Sequence, residues 1–456
     1  MMKVMKFGGG CLKGLDGFSD VVKVIRSEGF EHTVVVVSAV YGITDKLEDM
    51  AIQALASETT ILSSVDDIRF QHQNICDTII KSPEIQIQTI EQLELRLQKL
   101  ERLLFGIAYT GEISDSTRVL VLSQGERFAS ILLAAILNDS GISSISLDSD
   151  KIGLLTDSVC VNATVNLQVA RQNLVKEISP LILEGIVPII TGFFGCTEDG
   201  KTSSFGRNGS DYSAAVIARG LNAQTIHIWK DVDGFMTADP KIVDGAIMID
   251  RLSYLEAAEL SYFGARILHP RTVEPLIGTD TEIHIRNIRV PDNIGTLVTV
   301  TSSSHQDVIK SVAYNDQISV LQVHGAGVGF KPGIIGEIGR SLSDANINIF
   351  SVITSQTCIN LLLDSRDLVR SMQALDPLVG GVVERLELKV DLALIAVVGE
   401  GLLATDGLAA RVFSAVAQHG INVEMFAAGA SEVAYYFIVN QHDMATAIRA
   451  VHDQYY

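Results

Sequence analysis

The chain has 456 residues, 47% of them hydrophobic and 20% charged, enough for about three domains with sizeable cores. That balance fits a globular chain and excludes a disordered one. Asp and Glu number 54 against 35 for Lys and Arg, a formal net charge of −19, so nucleic acid and anionic membrane are poor partners, although a locally basic pocket for a small anion stays open.

Five scattered cysteines, Cys11, Cys76, Cys160, Cys196 and Cys358, show no CxxC spacing, which argues for reduced thiols and against a zinc site. The N-terminus runs directly into a strand with no separate apolar leader. No uninterrupted apolar run approaches the ~18 residues of a membrane span. The expectation is a cytoplasmic protein.

Taken in chain order, strands are predicted at 3–7, 33–38, 119–122, 145–148, 187–192, 225–230 and 282–285, each a short apolar, mostly β-branched run. Helical periods lie between them, as at 17–26 and 127–137. Apolar strands alternating with helices predict an α/β fold, a mainly parallel sheet sandwiched by helices. Ligands of such sheets sit at the carboxyl ends of strands. Lys6-Phe7-Gly8-Gly9, Ser38-Ala39, Gly192-Phe193 and Lys230-Asp231 all fall at those ends. Residues 59–118 carry no strand signal, and Leu93, Leu95, Leu97, Leu100, Leu103 and Leu104 are spaced for a long amphipathic helix. They read as a helical insertion packed on the sheet, with a partner-binding helix as the alternative.

The last third of the chain repeats itself. Gly333 to Asn348 and Gly407 to Asn422 each span fifteen positions, with a strand before each helix (319–323, 393–398) and strands after it. The expected organisation is a domain over 1–300, two small α+β units at 311–386 and 387–456, and a Ser-rich linker at 301–306.

The most informative segment is Ser203 to Ser213, SSFGRNGSDYS. It sets a cation, hydroxyls, a carboxylate and free backbone amides at the start of an apolar helix, which suits an anion. The plainer reading is a helix start capped by Ser210 or Asp211. Lys6 before Gly8, Gly9 and Gly10 supplies a point charge and room for phosphate oxygens, or is simply a strand-to-helix turn. Ser38 and Thr44 either bind a polar ligand or cap the next helix. Glu126, after Gly125, is a helix-dipole carboxylate or a partner for an ammonium group. The run Lys230-Asp231-Val232-Asp233-Gly234 could hold Mg²⁺ or a ribose, or be a turn. His269 before Pro270 reads as structural. Walker A, G-x-G-x-x-G, G-x-S-x-G and H-E-x-x-H patterns are missing from the contexts they need.

In order, these segments resemble the aspartate kinases of the amino-acid kinase family. The likeness runs through Lys6-Phe7-Gly8-Gly9, Val37-Ser38-Ala39, Gly42-Ile43-Thr44, Gly125-Glu126, Thr191-Gly192-Phe193 and Gly206 to Ala215. It continues in Trp229 to Gly234 and in Tyr262 to Thr272, and the terminal repeat resembles that family's paired ACT domains. The resemblance implies ATP-dependent phosphorylation of the β-carboxylate of L-aspartate, with Mg²⁺, the first step toward lysine, threonine and methionine. It implies that Lys6 and the Gly8 and Gly9 amides stabilise the phosphoryl group in flight, with Asp211 orienting Lys6. It assigns Ser38, Thr44, Glu126, Phe193, Arg207 and Ser210 to the substrate, Glu126 taking its ammonium and Arg207 its α-carboxylate. Lys230, Asp231, Met236, Lys241 and Arg266 fall on the nucleotide; no resident protein metal site is implied.

The chain departs from that pattern. Gly10-Cys11 stands where Thr-Ser is usual, Lys230 where a small hydroxyl residue is common, and Asn208 where glycine is common. Lys241 replaces a frequent Arg and Arg266 a frequent Lys. The resemblance also implies a homo-oligomer formed through ACT domains that bind an amino-acid effector. Thr354-Ser355-Gln356, in place of a frequent Ser-Glu, leans toward threonine over lysine. A kinase for a related acidic amino acid, and a catalytically silent ACT-type sensor, are the alternatives.

Overall fold

Four consecutive valines follow Thr33 in the strand Thr33–Val37, and all five residues are buried. A strand covered on both faces has no polar side to show, which is how parallel sheets between helices read in sequence. The computed structural model describes residues 1–206, 208–265, 267–301 and 308–456. Arg207 and Arg266 lie outside the described residues, as does all of the 301–306 linker but Thr301.

The chain divides into two compact units. Unit 1 comprises Met1–Phe235, Met248–Ala258 and Arg266–Ser303; unit 2 comprises Met236–Ile247, Glu259–Ala265 and Ser304–Tyr456.

Unit 1 carries strands β1 (Lys3–Phe7), β2 (Thr33–Val37), β3 (Ser144–Leu147), β4 (Val187–Thr191), β5 (Phe194–Cys196), β6 (Thr202–Ser204), β7 (Thr225–Lys230), β8 (Arg251–Ser253), β9 (Glu282–Asn287) and β10 (Thr296–Thr299). The eight-stranded sheet has the order β3-β4-β2-β1-β7-β9-β10-β8, and only the β9–β10 pairing is antiparallel. The expected mainly parallel α/β sheet is present. Strands β5 and β6 form a separate hairpin.

Helices α1 (Gly14–Ser27), α2 (Ile43–Ala56), α3 (Ile61–Ile79), α4 (Pro83–Thr110), α5 (Asp115–Leu122) and α6 (Gln124–Asp139) share one apolar cluster with Met5, Phe7, Val35 and Val37. The opposite face of β1 and β2 meets α8 (Gly209–Leu221), which packs on α7 (Leu167–Leu183). Helix α4 is the long amphipathic helix expected in the insertion. Ser82 caps it, Pro83 opens it, Gly111 ends it in the left-handed region, and Leu93, Leu97, Leu100 and Leu104 are buried. Instead of packing on the sheet as expected, helices α3 and α4 of the insertion pack on α1, α2 and α6, and it is α6 that meets the strands.

Residues 119–122, expected as a strand, lie in α5. Their burial alternates as a strand's would, but the Ser114 hydroxyl accepts the Thr117 amide and Asp115 sits in the first turn, so the helix start overrides the β-branched run. The stretch Asp115–Asp139 is long and apolar enough to cross a membrane by length and composition, although Arg118, Glu126 and Arg127 interrupt it, and its most apolar 18-residue window is 89% buried.

Unit 2 holds one antiparallel sheet of six strands, β11 (Ser311–His324), β12 (Ser351–Thr354), β13 (Cys358–Asp364), β14 (Arg385–Val398), β15 (Met425–Ala427) and β16 (Ala434–Asn440), in the order β12-β13-β11-β14-β16-β15. The expected boundary at 386/387 falls inside β14. The first half of β11, Ser311 to Asn315, pairs with the second half of β14, which pairs on with β16. The second half of β11 pairs with β13 and with the first half of β14. Each half has its own core. One gathers Val312, Ile395, Val397, Val412 and Ile448; the other gathers Leu321, Val323, Ile338, Leu342 and Leu361. The repeated helices α10 (Ile334–Asp344) and α12 (Leu408–Gln418) begin alike, on Gly333 and Gly407 in the left-handed region.

Candidate active site

The sheet order sets β4, β2, β1 and β7 side by side and parallel. Their carboxyl ends, Gly192, Ser38, Gly8 and Asp231, therefore form one rim. The Ser38 amide donates to Phe7 O at 3.1 Å and the Gly192 amide to Val37 O at 2.9 Å, carrying the ladder to that rim.

Lys6, the penultimate residue of β1, is buried, and its Nζ lies 2.6 Å from Asp211 Oδ1. Asp211 sits in the first turn of α8 and is fully buried. Neither Ser210 nor Asp211 caps that helix. Asn208 is the N-cap, at φ 58° with no side-chain bond to the turn, and the Asp211 carboxylate faces the lysine. The second oxygen of Asp211 accepts Lys230 Nζ at 3.1 Å, from the end of β7. Burial alone would raise the Asp211 carboxyl, but the Lys230 and Lys6 ammonium groups outweigh it and hold the group well below the usual carboxylate range. Asp211 is thus held as an anion at neutral pH.

Glu126 stands in the first turn of α6 rather than before the helix, and it is buried. Its Oε1 accepts the Ala39 amide at 3.2 Å, whereas Oε2 meets no partner among the described residues. Burial pushes its carboxyl up to about 8, against the opposing pull of the Ala39 amide and Lys6. A buried carboxylate with one free oxygen calls for a cationic ligand.

Around these groups the backbone is closely fitted. Gly192 has no room for a side chain, since a β-carbon there would stand 2.5 Å from Ser210 Cβ. Phe193 holds φ at 76°, uncommon for a bulky residue, with its amide donating to Ser213 Oγ and its carbonyl accepting the Phe205 amide. The Gly8 amide and the Cys11 thiol both donate to Trp229 O, tying the glycine turn to the residue before Lys230.

Residues 1–287 match the model of the "Amino acid kinase family", and residues 313–376 and 395–455 each match an "ACT domain". Over 99% of its length the chain is 30% identical to aspartokinase 2, chloroplastic, of Arabidopsis thaliana, of which it covers 84%. The chain belongs to the amino acid kinase family, among the aspartokinases. It is 28% identical to bifunctional aspartokinase/homoserine dehydrogenase 1, chloroplastic, of Zea mays, and spans only 50% of that protein's length. Among solved structures it is similar to E. coli aspartokinase III in complex with aspartate and ADP (R-state), at 27% identity and TM-score 0.86, covering 100% of this chain and 99% of that one. The same enzyme in complex with lysine and aspartate (T-state) gives 26% identity and TM-score 0.80, at the same coverage.

In this aspartokinase, unit 1 gathers Lys6, Gly8, Gly9, Ser38, Glu126, Phe193, Ser210, Asp211, Lys230 and Asp231 from the expected set on or beside the rim. Thr44 is exposed in the first turn of α2. Met236 and Lys241 belong to unit 2. There Met236 O accepts Ser311 Oγ and the Lys241 amide donates to Asp239. His269 does what its structural reading required, its Nδ1 accepting the Arg271 amide at the turn Pro270–Leu276. Sequence reasoning missed the Ala39 amide, which carries no side-chain signal, and the Lys230–Asp211 pairing, which joins residues on two separate elements.

Proposed function

We infer that this aspartokinase transfers the γ-phosphoryl group of ATP to the β-carboxylate of L-aspartate, forming 4-phospho-L-aspartate and ADP. The observation that carries the reading is the buried Lys6–Asp211 pair on the same rim as a Glu126 oxygen with no partner among the described residues. The complex of the similar E. coli aspartokinase III with aspartate and ADP supports it.

The nucleophile is a carboxylate, ionised at neutral pH without help. Its oxygen bonds to the γ-phosphorus as the bond to the β,γ-bridging oxygen breaks, and ADP leaves with that electron pair. Total charge is conserved and no proton is released, so the site needs no general base. The obstacle is the approach of two anions. Lys6 neutralises the phosphoryl oxygens, Asp211 holds the lysine in place, and the glycine turn lets phosphate come close. Glu126 takes the substrate ammonium on Oε2, which fixes the β-carboxylate for in-line attack. Mg²⁺ carried on the nucleotide would supply further positive charge against the phosphates. Such an ion needs few protein ligands, and the exposed Asp231 carboxylate beside Gly10 is the group that would meet it.

Trapping the acyl phosphate with hydroxylamine tests the reading. L-aspartate, L-glutamate and N-acetylglutamate are supplied separately with Mg-ATP. Hydroxamate from aspartate alone, lost in Lys6→Ala, is the expected result; hydroxamate from no acid would leave an ACT-type sensor.

Regulation is the second part of the proposal. Two ACT matches support an amino-acid effector, and E. coli aspartokinase III was solved with lysine. We favour threonine for this chain because Ser355-Gln356 offers no carboxylate for a lysine ammonium. Assembly through the edges of the six-stranded sheet fits strands β12 and β15, where Val352 and Phe426 are exposed. Threonine and lysine titrations, read by hydroxamate rate and sedimentation, separate these expectations.

A further inference from the structure

Two ammonium groups share one carboxylate at the rim. Lys6 and Lys230 approach opposite oxygens of Asp211, at 2.6 and 3.1 Å, and their side chains are 5%, 17% and 0% exposed respectively for Lys6, Lys230 and Asp211. One carboxylate thus serves two lysines in a largely dehydrated place, and when both are protonated one positive charge is left unmatched. Burying an unbalanced charge is costly unless an anion arrives to meet it. Among the described residues, neighbouring groups do little to match that charge. The Glu126 carboxyl is pushed up to about 8 and is mostly neutral at pH 7, His269 is pushed down to about 4 by burial and is neutral too, and Asp231 is exposed to screening water. Burial also lowers the Lys230 ammonium from its ordinary value, further than Asp211 restores it.

The turn beside Lys230 indicates which anion. Trp229 O, the carbonyl just before Lys230, accepts both the Gly8 amide at 3.3 Å and the Cys11 thiol at 3.1 Å. Gly10 lies so close to Asp231 that a β-carbon would stand 2.9 Å from its carboxyl group. Lys230 is thereby anchored against the glycine turn, where phosphate is expected. The Ala39–Glu126 side, where the amino acid is expected, leaves Lys230 unused.

We propose that Lys230 is a catalytic residue of this chain, a second ammonium that binds the transferring phosphoryl group opposite Lys6, with Asp211 holding the two cations apart. The proposal rests on the phosphoryl-transfer reading above. As the carboxylate–phosphorus bond forms and the bridging bond breaks, charge builds on the equatorial and leaving oxygens. Lys230 meets that charge without giving up a proton.

The test compares wild type with Lys230→Met and Lys230→Arg, in hydroxamate formation and in binding of ADP with aluminium fluoride, a mimic of the phosphoryl in flight. For Lys230→Met, kcat should fall roughly 10²- to 10³-fold, the scale of one transition-state charge contact, and affinity for ADP–aluminium fluoride with aspartate should fall comparably. Affinity for ADP alone should change by less than about 3-fold and thermal stability should not fall, because the repulsion between the two ammonium groups is gone. Lys230→Arg should recover part of the rate. A Lys230→Met enzyme that keeps wild-type kcat and analogue affinity overturns the proposal, as does one that loses ADP and the analogue equally. Hydroxamate from an acid other than aspartate, with the Lys230→Met loss retained, would overturn the aspartate reading and support the role of Lys230.

Discussion

Glu126 is suspended from the Ala39 amide by one carboxylate oxygen, and its other oxygen is buried with no partner among the described residues. The free site therefore favours the protonated acid, and an incoming substrate ammonium must displace that proton. KM for aspartate should fall as pH rises toward about 8 and level off above it. Glu126→Gln should raise KM at all pH values and abolish that slope. A raised carboxyl is also a stability cost that grows above the unfolded-state value, so Glu126→Gln should unfold at a higher temperature than wild type, most clearly above pH 8. A pH-independent KM in wild type would contradict this role.

Asp211 neutralises two lysines at once, and its removal should be worse than the loss of either. Asp211→Asn keeps the shape but strands two buried ammonium groups. Breaking a buried pair from one side typically costs about 3–5 kcal/mol, so a large drop in denaturant midpoint should accompany a loss of most hydroxamate activity. Calorimetry and the hydroxamate rate on one preparation decide it; an active, equally stable Asp211→Asn protein would be incompatible with the geometry.

Asn208 occupies a left-handed position, φ 58°, at the start of α8. Asparagine tolerates that conformation better than most residues. Asn208→Gly should change stability by less than about 1 kcal/mol, while Asn208→Ala should be destabilised by at least that amount. Urea midpoints with unchanged m-values are the measurement.

His72 marks an acid limit inside the helical part of unit 1. The ring is buried, lies tilted against Phe128 and bonds Ile68 O through Nδ1 at 2.8 Å, with no partner for Nε2 among the described residues. Burial drives it from 6.5 down to about 4. The unfolded chain takes up the proton first, so the stability contribution is complete above pH 6.5 and is lost as pH falls toward 4, a change of about 3 kcal/mol. His72→Leu should flatten the decline of unfolding free energy between pH 6.5 and 4; an unchanged decline would place the acid sensitivity elsewhere.

Much of this was legible before any coordinates. The parallel sheet announces itself because the four valines of β2 leave no polar face to show, and Lys6 with its glycines sits at a strand end, where such sheets bind ligands. The helical insertion was legible from its leucine spacing. What escaped was set by competition or by distance. The run 119–122 looks like a strand until the Ser114 cap is weighed. Glu126 looks like a dipole partner until the Ala39 amide arrives from another loop. Lys230 and Asp211 are 19 residues apart on two different elements, and no local pattern records that their side chains meet. The boundary at 386/387 cut through β14 because periodicity marks a strand's faces and says nothing about how many neighbours its length serves.

The halves of β11 and β14 belong to different four-stranded portions of the one sheet, an inner layer with β12 and β13 and an outer layer with β15 and β16, and register shifts between Asn315 and Val320 mark the changeover. The inner layer is built from one continuous stretch of chain, whereas the outer one takes an early strand, waits through the whole of the inner copy, and then resumes. In synthesis the inner layer can close as soon as β14 begins to emerge, while Ser311 to Asn315 stays without its partner strand until more chain follows. A gene cut between the two copies would yield one truncated layer and one orphaned strand, never two modules. For recombination between such chains, the pair is a single heritable cassette, exchanged from before β11 through α13 (Met444–His452) or not at all.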